Sequence, residues 1–163
     1  MSVLKIINPT HPILRRKARK VKVFDDNLQN LIDDMIETML DAPGVGLAAP
    51  QVSQGLRLFV VYVEKEPEDT EHTDLDVAAG VGEIHVMVNP RITKSSQENV
   101  VKTEGCLSIP GYLGDVSRST HIVVKYLDRF GKKRKLKTTG WMARVIQHEY
   151  DHLDGVLFID KAE

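Results

Sequence analysis

Residues 147–155 read QHEYDHLDG and carry the pattern H-E-x-x-H. From Gly140 to Leu153 the apolar spacing is helical, and Gly155 serves as a stop. On a helix, positions i and i+4 share a face, so His148 and His152 can reach one metal ion. Glu149 can then lie beside the coordination position left to water, where a carboxylate takes a proton. The plainer reading is a helix with one packed and one solvated histidine. A catalytic site of the zinc type needs a third protein ligand and an open position. One metalloprotease pattern continues H-x-x-G-x-x-H; here Gly155 fits, but Phe158 stands where the third histidine belongs. Another takes a downstream glutamate, and the only one after His152 is Glu163. The third ligand is therefore expected upstream.

Upstream, the sole cysteine stands out, in Glu104-Gly105-Cys106-Leu107-Ser108-Ile109-Pro110. A lone cysteine is more often an inert buried residue, but beside an H-E-x-x-H that lacks a ligand Cys106 is the leading candidate. His11, His72, His85 and His121 read as surface or packed histidines. Further upstream, Gly44-Val45-Gly46-Leu47-Ala48-Ala49-Pro50-Gln51 leaves backbone exposed to whatever lies over it. Such a segment can hydrogen-bond an extended peptide as an added strand would; its plainer reading is a tight helix-to-strand connection. It lacks the lysine and Ser/Thr of a phosphate loop. Gln51 is either a surface amide or a donor aimed into the site.

Between these segments, Leu28, Leu31, Ile32, Met35, Ile36 and Met39 recur at spacings of three and four, which predicts a helix over 26–41. Asp25 or Asp26 caps it and Pro43-Gly44 stops it. Strands are expected at 57–63, at 84–88 (ended by Asn89-Pro90) and at 99–103. A hairpin is expected from 121–127 and 133–138 around the turn at 128–131. The acidic stretch 65–82 reads as a mobile surface loop. One early and one late helix among strands suggest an α+β fold, with mostly antiparallel sheets packed around a central metal-binding helix, in one domain over 1–163.

Composition sets the bounds. The 163 residues are 42% hydrophobic and 28% charged, enough for a packed core. A single cysteine excludes an internal disulfide and a cysteine cluster. A net charge of −1 excludes a global electrostatic grip on nucleic acid, and no DNA partner is expected. No apolar run is long enough to span a membrane. No signal peptide is evident, so a soluble protein of a reducing compartment is expected, either bacterial cytoplasmic or the mature form of an organellar one. Two basic stretches, 15–22 and 132–137, could touch ribosomal RNA. Charge runs commonly solvate a surface, and that is the preferred reading.

Together the three segments resemble the peptide deformylase family, whose signatures are G-φ-G-φ-A-A-x-Q, E-G-C-φ-S and Q-H-E-x-D-H (φ apolar). All three stand intact and in order, as GVGLAAPQ at 44–51, EGCLSIP at 104–110 and QHEYDHLDG at 147–155. The start, His11-Pro12-Ile13-Leu14-Arg15, is also similar. The resemblance implies that Cys106, His148 and His152 hold one divalent metal ion. Fe2+ is the expected physiological ion, with Zn2+, Ni2+ or Co2+ able to substitute. It implies that Glu149 is the general acid–base and that the Gln51 amide and the Leu107 backbone N–H bind the oxyanion. Gly44, Val45, Gly46, Gly111, Tyr112 and Leu113 would line the substrate. The implied activity removes the formyl group from the N-terminal formylmethionine of newly made proteins, in passing contact with the ribosome. The competing expectations are a metallo-endopeptidase and an inactive metal-binding relative.

The chain also departs from the common bacterial form. It stops soon after Phe158-Ile159-Asp160-Lys161, where many members carry a long helix. Trp141 and Arg144 replace smaller or apolar residues, as in organellar enzymes and their bacterial relatives. Leu113 stands where some members place an arginine, and the 65–82 loop is longer. These changes touch substrate grip and pocket shape and leave the metal chemistry complete.

Overall fold

The structure is a computed structural model that describes residues 2–42, 44–64 and 80–162. In these residues the chain forms seven strands and two α-helices. The order is α1 (Asp26–Asp41), β1 (Gly46–Ala48), β2 (Leu58–Tyr62), β3 (Ile84–Ser95), β4 (Asn99–Cys106), β5 (Ile109–Ser119), β6 (His121–Leu127), β7 (Lys133–Thr139) and α2 (Gly140–Leu153). Five strands make one sheet in the order β1-β2-β3-β6-β7, and β4 and β5 make a separate two-stranded sheet. Every pairing is antiparallel. The α+β class and the central helix are as expected. The stop at Pro43 and most of the acidic stretch, with His72, lie outside the described residues.

The burial of β2 explains its composition. Leu58 and Val60 pack with Leu28, Ile32, Met35 and Met39 of α1. Phe59 and Val61 turn to the other side and pack with Met142, Ala143 and Ile146 of α2. A strand covered on both faces reads as an unbroken apolar run instead of an alternating one. Asp25 caps α1, its carboxylate accepting from the Leu28 N–H at 3.0 Å.

β3 does not end at Asn89-Pro90. The ladder shifts register between Val88 and Arg91 and then resumes. Proline has no N–H to give, and Asn89 adopts φ 49°, so the pair forms a bulge inside a longer strand. The Asn89 side chain is engaged there. It accepts from Val21 N–H at 2.8 Å and donates to Val21 C=O at 2.9 Å.

β4 and β5 cross no ladder to the larger sheet, and both leave it at one knot. Ser96 Oγ accepts from the N–H groups of Thr120 and His121, each at 3.1 Å, while Ser119 Oγ donates to Ser96 C=O at 3.0 Å. A third apolar cluster, with Ile7, Leu14, Ile109, Val116, Leu157 and Phe158, seats both ends of the chain against β5. Among the described residues no helix is long and apolar enough to cross a membrane.

Candidate metal centre

The three signature segments converge on one cleft of about 370 Å3. Residues 44–46 enter β1 along one wall. Cys106 ends β4, just past a register shift between Glu104 and Cys106 that breaks the even ladder. The β4–β5 turn follows with Leu107. His148 and Glu149 rise from α2, whose mid-section is packed under β1 and β2. Gln51, Gly111, Tyr112 and Leu113 also line the cleft, as does Trp141, one of the changes expected to alter the pocket's shape. His152 lies behind, fully buried.

Each of Cys106, His148 and His152 offers one ligand atom, and these atoms lie within 4.8 Å of one another. Cys106 Sγ is 3.4 Å from His152 Nε2. The one-turn spacing in the sequence puts both imidazoles on one helix face, with ring centroids 5.1 Å apart. Gln51 is buried; its Oε1 accepts from Ala48 N–H at 2.9 Å, and its Nε2 points at Ser108 Oγ (3.2 Å) and Cys106 Sγ (3.5 Å). Gly46 is what lets Glu149 in, because a Cβ there would sit 2.8 Å from the Glu149 Cγ and Oε2.

Beneath the cluster lies an ionic network whose contacts are not evident in the sequence. Glu104 accepts from both Nε and Nη2 of Arg118 at 2.9 Å, from Arg144 Nη1 at 2.5 Å, and faces His148 Nδ1 at 2.9 Å. Arg118 also donates to Asp151 at 2.6 Å. Arg144, flagged above only as a change of pocket shape, is buried and donates to the carbonyls of Val116 and Val100. Glu104 belongs to the E-G-C segment, but its partners lie 14, 40 and 44 residues away, so no local signal announces them.

Burial and charge pull these groups apart. Burial alone would raise Glu104, but hydrogen bonds from His148 and Arg118 hold it at about 2. Burial pushes the Glu149 carboxyl up to about 7. Burial would lower His148 as well, but the contacts with Cys106 and Glu104 and the charge of Glu149 take it up to about 10. Burial, with the charges of His148 and Arg118, drives His152 well below its ordinary value. Opposed shifts gathered in one cleft mark a reactive site.

An α+β fold in which a thiol and two imidazoles converge beside a buried carboxyl has the form of a metal-dependent hydrolase. The family model described as Polypeptide deformylase matches residues 3–163. A peptide deformylase of Dehalococcoides mccartyi is 46% identical over 163 residues, covering all of this chain and 88% of that protein. The crystal structure of peptide deformylase from Ehrlichia chaffeensis superposes with a TM-score of 0.92 at 39% identity, covering 99% of this chain and 89% of that one. The corresponding structure from Thermotoga maritima gives 0.86 at 38%, covering 100% and 99%. The chain belongs to the polypeptide deformylase family.

Proposed function

We propose that the chain hydrolyses the formamide of N-terminal formylmethionine on newly made proteins. Cys106, His148 and His152 would hold one divalent ion, Glu149 would move the proton, and Gln51 with the Leu107 N–H would hold the carbonyl oxygen. The residues present suit a metal. A thiol and two imidazoles are a donor set for a borderline ion. Glu149 Oε1 and His152 Nδ1 are buried without a partner among the described residues, an arrangement that costs free energy unless something else satisfies them. When bound, the ion supplies Lewis acidity, bringing a water's pKa near neutrality and polarising a carbonyl. Fe2+ fits the thiolate ligand and would make the enzyme sensitive to oxidation, with Zn2+, Ni2+ or Co2+ as substitutes.

The remaining work falls to the side chains. Glu104 against Nδ1 fixes the His148 ring and turns Nε2 toward the ligand cluster. Glu149, poised near neutrality by burial, accepts a proton from water and passes it to the departing amine. The Gln51 Nε2, locked by the Ala48 contact through its own Oε1, is aimed beside Cys106 and would donate to the growing charge on oxygen. Val45, Tyr112, Leu113 and Trp141, exposed apolar residues around the cleft, would take the methionine side chain and the start of the peptide. Relatives from Dehalococcoides mccartyi and Rhizobium meliloti, 46% and 42% identical, are bacterial, which supports work in a bacterial cytoplasm.

The observation that carries this reading is the meeting of Cys106, His148 and His152 beside Glu149. Its test is formyl-Met-Ala-Ser incubated with anaerobically purified enzyme. Formate should appear while the peptide chain stays whole; internal cleavage would instead indicate an endopeptidase. E149Q should keep its metal and lose at least about 100-fold in rate. An unchanged rate would reject the assignment of Glu149.

A further inference from the structure

Phe158 stands where one metalloprotease pattern places its third histidine, and the proposed chemistry leaves it no part. It lies at the site all the same. Its ring runs nearly parallel to the imidazole of His148, at 25°, with the centroids 6.0 Å apart. That is within the range of an offset aromatic pair. Phe158 is buried in the apolar cluster of Ile109, Val116 and Leu157 and forms no part of the cleft wall. Gly114 of β5 leaves room for it. A Cβ there would touch Phe158 Cε2 at 3.4 Å and overlap Ala162 at 2.8 Å. Gly114 pairs with Glu104, whose carboxylate faces His148 Nδ1 at 2.9 Å. A carboxylate and a flat ring thus reach the same ligand from neighbouring positions.

The ring has a firm seat. It begins a short turn, Phe158–Asp160, just beyond α2. The Asp160 carboxylate closes that turn by accepting from the Leu157 N–H at 3.0 Å. It also accepts from Arg15 at 2.5 Å, which ties the turn to the start of the chain. Lys161 N–H donates to the Phe158 C=O at 3.0 Å. His148 needs such a neighbour. The last torsion of a histidine side chain is soft, and a hydrogen bond bears about 30° of misalignment, enough to swing Nε2 by about 0.3 Å. A metal site tolerates about 0.2 Å. Glu104 is itself steady, gripped by Arg118 and Arg144, but it holds only one atom of the imidazole. His152 meets the ring at 67° and 5.1 Å, and its own Nδ1 has no partner among the described residues, so it is no anchor.

We propose that Phe158 is a positioning residue for His148. Its ring fixes the tilt of the imidazole that Glu104 leaves free, and so readies Nε2 for a metal ion. The proposal rests on the reading of Cys106, His148 and His152 as ligands. The plainer account is that Phe158 only fills the core. A filler needs apolar bulk of any shape, whereas a positioning residue needs the flat face, and that difference separates the two.

The test compares F158L, which keeps apolar bulk and loses the flat face, with F158Y, which keeps the ring. Zn2+ affinity is read by competition with a chelator, and the geometry at the ion by the visible absorption of Co2+-loaded enzyme. kcat and KM are read separately with formyl-Met-Ala-Ser. F158L should bind one Zn2+ about ten-fold more weakly, the low end for losing a group that orients a ligand. Its Co2+ bands should shift, and kcat should fall with KM unchanged, because the ring stands outside the cleft wall. F158Y should stay close to wild type in all three. The inference is overturned if F158L keeps the Zn2+ affinity and Co2+ spectrum of wild type, whatever its stability in urea. It is overturned equally if a folded F158Y loses as much as F158L does. If F158L fails to fold, F158M takes its place with the same expected and overturning results. Wild type that binds no Zn2+ would instead refute the ligand reading itself, and this inference with it.

Discussion

Gly46 shows how much one missing side chain can decide. Its strand passes so close to α2 that a methyl group would overlap the Glu149 carboxylate. Gly46→Ala should therefore move that carboxylate and not the ligand cluster. The expected outcome is a fall in kcat of about 100-fold, the usual effect of roughly 1 Å of misplacement, with metal content kept. Rate and metal analysis on one preparation would check it; a variant with full rate would show that Glu149 has room to spare. At this scale the sequence was informative wherever a residue acts through its near neighbours. His148, Glu149 and His152 sit within one and a half turns, and their helical spacing predicts the shared face. The sequence leaves Gln51 open as a surface amide or a donor aimed inward; the structure buries it against Cys106 and Ser108. Glu104, Arg118 and Arg144 were not legible as a group, because what unites them is a fold-level meeting of β4, β5 and α2.

Among the elements, β1, β3 and β5 differ from the sequence reading: β1 is a three-residue strand where a connection is expected, while β3 and β5 differ for one shared kind of reason. Pro90 within β3, and Pro110, Gly111 and Gly114 within β5, are residues that weaken a strand considered alone. In β3 the cost is absorbed by a bulge, which Asn89 secures by holding both backbone groups of Val21. In β5 it is absorbed by an irregularity as well, since the ladder to β4 jumps from the Glu104–Gly114 pair to the Cys106–Ile109 pair and leaves Pro110 and Gly111 outside it. β2, α1, the β6–β7 hairpin and α2 were legible because their apolar periodicity reports directly on which faces are covered. Asn89→Ala should cost about 2 kcal/mol, as two buried backbone groups lose their partner. Urea unfolding would measure it, and a loss below about 0.5 kcal/mol would mean that water replaces the side chain there.

For the molecule as a whole, Arg15 near the start and Asp160 near the end are joined by an ion pair of 2.5 Å, next to the apolar cluster that seats both ends. The hydrogen bond from Arg15 holds the Asp160 carboxyl below its ordinary value of 3.8. A lowered carboxylate pKa contributes stability above that value and loses it as pH falls through the folded one. Both side chains are substantially exposed, so the effect is small. Arg15→Gln should lower Tm slightly at pH 6, and the gap from wild type should close as pH falls below 3.8. A gap that persists unchanged at low pH would place the contribution of Arg15 in packing and not in charge. The separate β4–β5 sheet has a mechanical consequence. It is a lever pivoted at the Ser96–Ser119 knot, with Cys106 at its far tip. Eight residues of β4 make an arm of about 26 Å. Metal–ligand distances tolerate about 0.2 Å, so the arm must be steady in angle to about half a degree if its tip is to serve an ion. A pivot of hydroxyls cannot be that stiff by itself. Arg144, gripping Val100, Glu104 and Val116 along the arm's length from α2, acts as the brace that sets the angle.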